Sequence, residues 1–278
     1  MHEENFVSGR CYCFDSVYFV VTSELELDDN LEELLISASK AKLSSHIVLR
    51  QRDFYKRVKG NTLTRVFVAE SPDIVEMAEL VSDFADSLDD DAKVSGFTIM
   101  LEPHRFNAVE QRRGADSCFI WDDRSYGIGL DNDMLMNKSF TDFALAAKAS
   151  DLPFVPAVYD FYHELAKEKK LSKGSINEVA KLSSSKKDVL LISTGSRPSA
   201  VAENIKNEFA GASDCRIKLV FMVADHLSVN ESVFRRRNFT DFVRGIKYGT
   251  SKLAGKKAYN GIITGPLRVL DYMCHEEE

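Results

Sequence analysis

The chain is poor in tryptophan, proline and glycine, and it has no long apolar run. One Trp, six Pro and 14 Gly in 278 residues exclude a collagen-like repeat and a Pro/Gly-rich low-complexity chain. No stretch reaches the roughly 18 consecutive apolar residues of a membrane-crossing helix, so no membrane partner is expected. The opening MHEENFVSGR carries Glu3 and Glu4 without a basic n-region, so a secretory leader is not expected there. Cysteine is sparse and odd in number, at Cys11, Cys13, Cys118, Cys215 and Cys274. Cys11 and Cys13 form C-x-C, not C-x-x-C, and no second pair follows at finger spacing. Free thiols in the reducing, cytoplasmic compartment are expected.

Catalytic signatures are missing too. There is no G-x-S-x-G elbow, no H-E-x-x-H, no G-x-G-x-x-G and no P-loop. The histidines at 2, 46, 104, 163, 226 and 275 fall in no metal-binding pattern. Asp131–Asn132–Asp133 begins like a calcium loop. It lacks Gly at the sixth position, and Asp142 stands where the twelfth-position Glu belongs. No metal, no cofactor and no catalytic residue is expected. Catalytic groups converge in space and need not be close in sequence, so an enzyme is not excluded.

Hydrophobic residues make up 44% of the chain and charged ones 28%. That is the composition of a folded protein with ample core. Runs of β-branched and aromatic residues alternate with helical spacing, which predicts a mixed α/β (α+β) fold. SVYFVVTS (16–23) and RVFVAES (65–71) read as strands, and SGFTIMLEP (95–103) and SCFIWDDRSYGIGL (117–130) as strands or a hairpin joined by a polar loop. Helical spacing marks 28–43, where acids fill the first turn. It marks 71–90 as well, with Ser71 as cap, Pro72 as first helical residue and a stripe at Ile74, Met77, Ala78, Val81, Phe84 and Leu88.

Residues 134–182 read as mainly helical, broken by the prolines of DLPFVP (151–156). The chain is therefore one large domain or two α/β subdomains, 1–152 and 153–278. The second half holds a βαβ unit: strand 188–194, turn 195–199, helix 200–209 and strand 216–225. A basic helix follows over 229–248, started by a Ser228/Glu231 capping box. The last element, 258–270, reads as a strand or hairpin.

Charge is the strongest functional signal. The net charge is -7, yet Ser232–Arg268 holds nine Lys/Arg against Asp241 alone. Lys40–Ala69 holds eight Lys/Arg against Asp53 alone. The two segments carry +15 together and leave -22 for the rest of the chain. Basic groups interleaved with aromatics suit a phosphate backbone with unpaired bases stacked on rings. The expected phosphate contacts are Arg50, Arg52, Lys56, Arg57 and Lys59 on one wall. Arg235, Arg236, Arg237, Arg244, Lys247, Lys252, Lys256 and Lys257 make the other. Tyr55, Tyr248 and Tyr259 are the expected stackers, because a phenol tolerates exposure better than Phe. The function this predicts is non-catalytic binding of RNA or single-stranded DNA.

Two other readings stand beside it. The turn LLISTGSRPSAV offers Thr194, Gly195, Ser196, Arg197 and Ser199 as an anion site between a strand and a helix. That would make the protein an enzyme or sensor for a nucleotide or sugar phosphate. Alternatively, the helix 71–90 docks on a basic segment, with nine acids from Glu70 to Asp91 and no base. Docking between copies would make the protein a scaffold or homo-oligomer.

Overall fold

The computed structural model describes residues 15–54, 72–102, 133–159, 176–184, 187–193, 215–222 and 259–265. Among the described residues seven strands are formed: β1 (Ser16–Val21), β2 (Ser44–Arg50), β3 (Gly96–Met100), β4 (Ala157–Tyr159), β5 (Asp188–Ser193), β6 (Arg216–Met222) and β7 (Tyr259–Gly265). Four helices are described with them: α1 (Asp29–Lys40), α2 (Ile74–Ser87), α3 (Asp133–Ala149) and α4 (Ile176–Ala180). The expected α/β class is what the structure shows.

All strand pairs are parallel, and the strands lie side by side in chain order. This is the winding of an α/β barrel. Right-handed crossovers that always step the same way place their helices on one face of the sheet. The register identifies that face. Phe19, Ile47 and Phe97 lie in one row across β1–β3, and Val21, Leu49 and Ile99 in the next. Val158 and Leu191 pair across β4–β5, and Leu191 with Leu219 across β5–β6. Every residue in these rows is apolar. Phe154 joins them to the helices, with its ring 4.9 Å from Phe97 and 5.9 Å from Phe143 of α3.

The opposite face carries Tyr18, His46, Arg50, Thr98, Asp188, Arg216 and Lys218. It is concave. In a flat sheet β2 and β6, four steps apart, would lie roughly 19 Å from each other at about 4.8 Å per strand. Burial, then the Lys218 ammonium on β6, nonetheless lowers the pKa of His46 on β2; the Ser16 hydroxyl, against burial, and then Lys218 lower that of Asp15 just before β1. Charges beyond a Debye length of about 8–10 Å are largely screened. The sheet therefore curls into a half-barrel, with this face inside. Among the described residues, β1 pairs only with β2 and β7 only with β6.

Several local expectations change. β2 was not expected: Ile47, Val48 and Leu49 make a short apolar core inside a polar, basic stretch. Asp73, not Ser71, caps α2, accepting from the backbone N–H of Val75 and Glu76 at 3.1 Å each. The helix therefore starts at Ile74, two residues beyond Pro72. Its buried stripe is Ile74, Met77, Ala78 and Val81, the i, i+3, i+4, i+7 set. Residues 157–159, expected within a helical region, form β4, because burial between β3 and β5 overrides local propensity. β7 is a parallel strand on β6 and not a hairpin. Strands on both sides of residue 152 belong to one sheet. The expected elements at 65–71, 117–130, 200–209 and 229–248 lie outside the described residues.

Candidate functional site

In a parallel sheet all strands end on the same edge, and in α/β folds that edge is where ligands bind. Here it carries a polar cluster built from β2, the residues after β3, and β4. Arg50 is the last residue of β2, on the concave face. Glu102 lies two residues beyond β3, and Tyr159 ends β4.

The Arg50 guanidinium reaches Glu102 Oε1 from Nη2 at 3.5 Å, and its Nε lies 3.9 Å from Asp53 Oδ2. Both contacts are longer than a good charge-assisted hydrogen bond. The Arg50 side chain is 23% exposed, whereas that of Glu102 is 0% exposed. The Tyr159 hydroxyl donates to the same Oε1 of Glu102. Arg50 Nε is buried and makes no hydrogen bond.

A second set of bonds locks the strand ends in place. Gln51, 1% exposed, accepts from the Glu102 backbone N–H at 3.3 Å and from the Ser139 hydroxyl at 2.8 Å. Its amide donates to the Ser139 carbonyl. The ends of β2 and β3 are thus tied to α3 through one buried amide. Two strand positions below Met100, the hydroxyl of Thr98 is also buried on the concave face without a hydrogen bond.

The opposite end of the half-barrel is polar as well. The Tyr18 ring stacks on His46, centroids 4.8 Å apart. Burial pushes the Tyr18 phenol up to about 12. Burial, then Lys218, holds the His46 imidazole below its ordinary value, against the opposing pull of Asp15. Asp188 accepts two hydrogen bonds from Arg216, at 2.5 and 2.6 Å. That pairing raises the guanidinium pKa further. The N-terminal end of a parallel sheet is where polar groups serve stability.

Of the expected phosphate contacts, Arg50 falls in the cluster. Arg52 lies in the 3-10 turn Gln51–Phe54 that follows β2. Phe54 closes that turn as a core residue, 2% exposed. Tyr259 is the first residue of β7. Tyr55, Lys56, Arg57, Lys59, Arg235, Arg236, Arg237, Arg244, Lys247, Tyr248, Lys252, Lys256 and Lys257 lie outside the described residues. So do Thr194, Gly195, Ser196, Arg197 and Ser199. Glu76, Glu79, Asp83 and Asp86 form an exposed acidic face on α2.

Glu102, Tyr159, Gln51 and Ser139 were not singled out from the sequence. One signal was present: an acid standing directly after the wholly buried strand GFTIM and Leu101. Among the described residues no group of three metal-ligating side chains occurs, and no helix is long and apolar enough to cross a membrane. No protein-family model matches the chain, and no curated protein matches its sequence.

Proposed function

We propose that this protein binds RNA or single-stranded DNA, without catalysis, along the C-terminal edge of its parallel sheet. The observation that carries this is topological. β2 ends at Arg50 and β6 ends at Met222. From that edge the chain runs directly into the basic segment 50–59, and after β6 it leaves the same edge toward Arg235–Arg237, whereas Lys256 and Lys257 stand just before Tyr259, where parallel β7 begins at the opposite edge. Arg50 already stands on the concave face at that edge. The acids of α2, which would repel a polyanion, lie on a helix. Lys and Arg neutralise phosphates and release counterions, so affinity must fall steeply with salt.

The test is fluorescence anisotropy with labelled single-stranded RNA, single-stranded DNA and duplex DNA at low and at physiological salt. Wild type is compared with Arg235/Arg236/Arg237→Glu. Salt-dependent binding to single strands is expected. The triple variant weakens it for all sequences alike and lowers the salt slope by about three. Absence of binding even at low salt refutes the proposal.

A second reading is favoured by the same topology. β5 ends at Ser193, so residues 194–199 follow that strand end directly in the chain. A nucleotide or sugar phosphate held there makes the protein an enzyme or sensor for a small phosphate. Calorimetry with a mononucleotide separates the two. Under the second reading Arg197→Ala abolishes mononucleotide binding and leaves polynucleotide binding unchanged.

A further inference from the structure

A fully buried carboxylate beside a phosphate-binding arginine weakens attraction for a polyanion if charge alone is considered. Glu102 therefore needs a reason to be there. We propose that Glu102 and Tyr159 are positioning residues that hold Arg50 as a fixed subsite for one phosphate group. This rests on the nucleic-acid reading and assigns the residues that make one of its contacts specific.

A guanidinium presents five donors in a planar fork that matches two phosphate oxygens at once. On a free surface its long stem must be ordered when the ligand arrives, which costs affinity. Here Glu102 Oε1 lies 3.5 Å from Nη2, and the Tyr159 hydroxyl donates to that same oxygen. The carboxylate is itself held through its backbone by Gln51, which is bonded to Ser139. The guanidinium is thus oriented before any ligand binds. Its donors are not used up. The Nη2 contact to Glu102 is long, at 3.5 Å, and the exposed part of the fork is its Nη side, since Nε is buried. The side chain is still 23% exposed, so an anion at the concave mouth can reach it. The ligand chemistry is a phosphate, from a polynucleotide backbone or from a mononucleotide.

The two accounts of Glu102 predict opposite signs. If only net charge matters, Glu102→Gln removes a negative charge and tightens RNA binding. If Glu102 orients Arg50, Glu102→Gln loosens it. The full-length chain is titrated with labelled single-stranded RNA, and with AMP as competitor. Wild type, Arg50→Gln, Glu102→Gln and Tyr159→Phe are compared, each checked for folding by circular dichroism. Arg50→Gln and Glu102→Gln are each expected to weaken RNA binding roughly five- to tenfold and to lower the salt slope by about one.

A folded Glu102→Gln that binds as tightly as wild type, or tighter, overturns the inference while the nucleic-acid reading stands. Wild type that binds neither RNA nor AMP overturns both. If Glu102→Gln does not fold, Tyr159→Phe decides by the same criterion, since it deletes only the hydroxyl. AMP competition that Glu102→Gln weakens assigns the subsite to a free mononucleotide. A loss confined to RNA assigns it to the backbone.

Discussion

Gly96→Ala, a substitution that adds one methyl group, tests the seam where β3 meets the chain before β4. A Cβ on Gly96 would stand 2.5 Å from the backbone carbonyl oxygen of Pro153 and 3.4 Å from His46 Nδ1. Ordinary contact between such atoms begins near 3.4 Å, so the carbonyl must retreat by about 0.9 Å. It is not free to do so. The Phe97 N–H donates to it at 2.9 Å, and the Val155 N–H donates to the Phe97 carbonyl at 3.0 Å. Phe154 between them is wedged against Phe97.

Stretching that first bond costs about 1 kcal/mol or more, because the donor is buried. Strain from overpacking adds about 1–3 kcal/mol. Against this, Ala restricts the unfolded chain and returns about 0.4–1 kcal/mol. The clash wins, with a net loss of about 2 kcal/mol. At about 2–4 °C per kcal/mol for a chain of this size, Tm falls by about 4–8 °C. Urea unfolding followed by circular dichroism should show the midpoint lowered at unchanged m. A Gly96→Ala variant as stable as wild type refutes the tight seam and the fixed β3–β4 junction with it.

Other perturbations have equally definite outcomes. Phe154→Ala empties a site where a 1% exposed ring meets Phe97 and Phe143, and should cost about 3–5 kcal/mol in urea unfolding. Asp73→Ala removes the acceptor for two backbone N–H groups at the start of α2. It should cost about 1 kcal/mol, whereas Ser71→Ala should cost little.

The pH dependence of stability has a worked sign. Burial, then Lys218, lowers the folded His46 pKa, against Asp15, so the unfolded chain takes up a proton first as pH falls. Stability is therefore full above about pH 6.5 and declines below it toward the lowered folded value. His46→Gln should flatten urea midpoints across that window, and an unchanged slope would show that another group titrates there.

What could be read from the sequence is local. Apolar runs such as VYFVV and GFTIM specify strands because a pleated, buried surface accepts β-branched and aromatic residues. The apolar spacing of α2 specifies a helix and its inward face. Together these give the α/β class. β2 escaped because three apolar residues amid basic ones carry too little periodicity. β4 escaped because its three residues are strand only by pairing with neighbours.

The candidate site is tertiary almost throughout. The charge pattern named Arg50, but not that its partners are Glu102, about fifty positions later, and Tyr159, beyond α3. Local pattern marked β1, β3, β5, β6, α1, α2 and the basic segments. The parallel order and the curl of the sheet decided that Arg50, Glu102 and Tyr159 meet at one edge. That meeting depends on hydrogen bonds between strands distant in sequence, which no short window of residues contains.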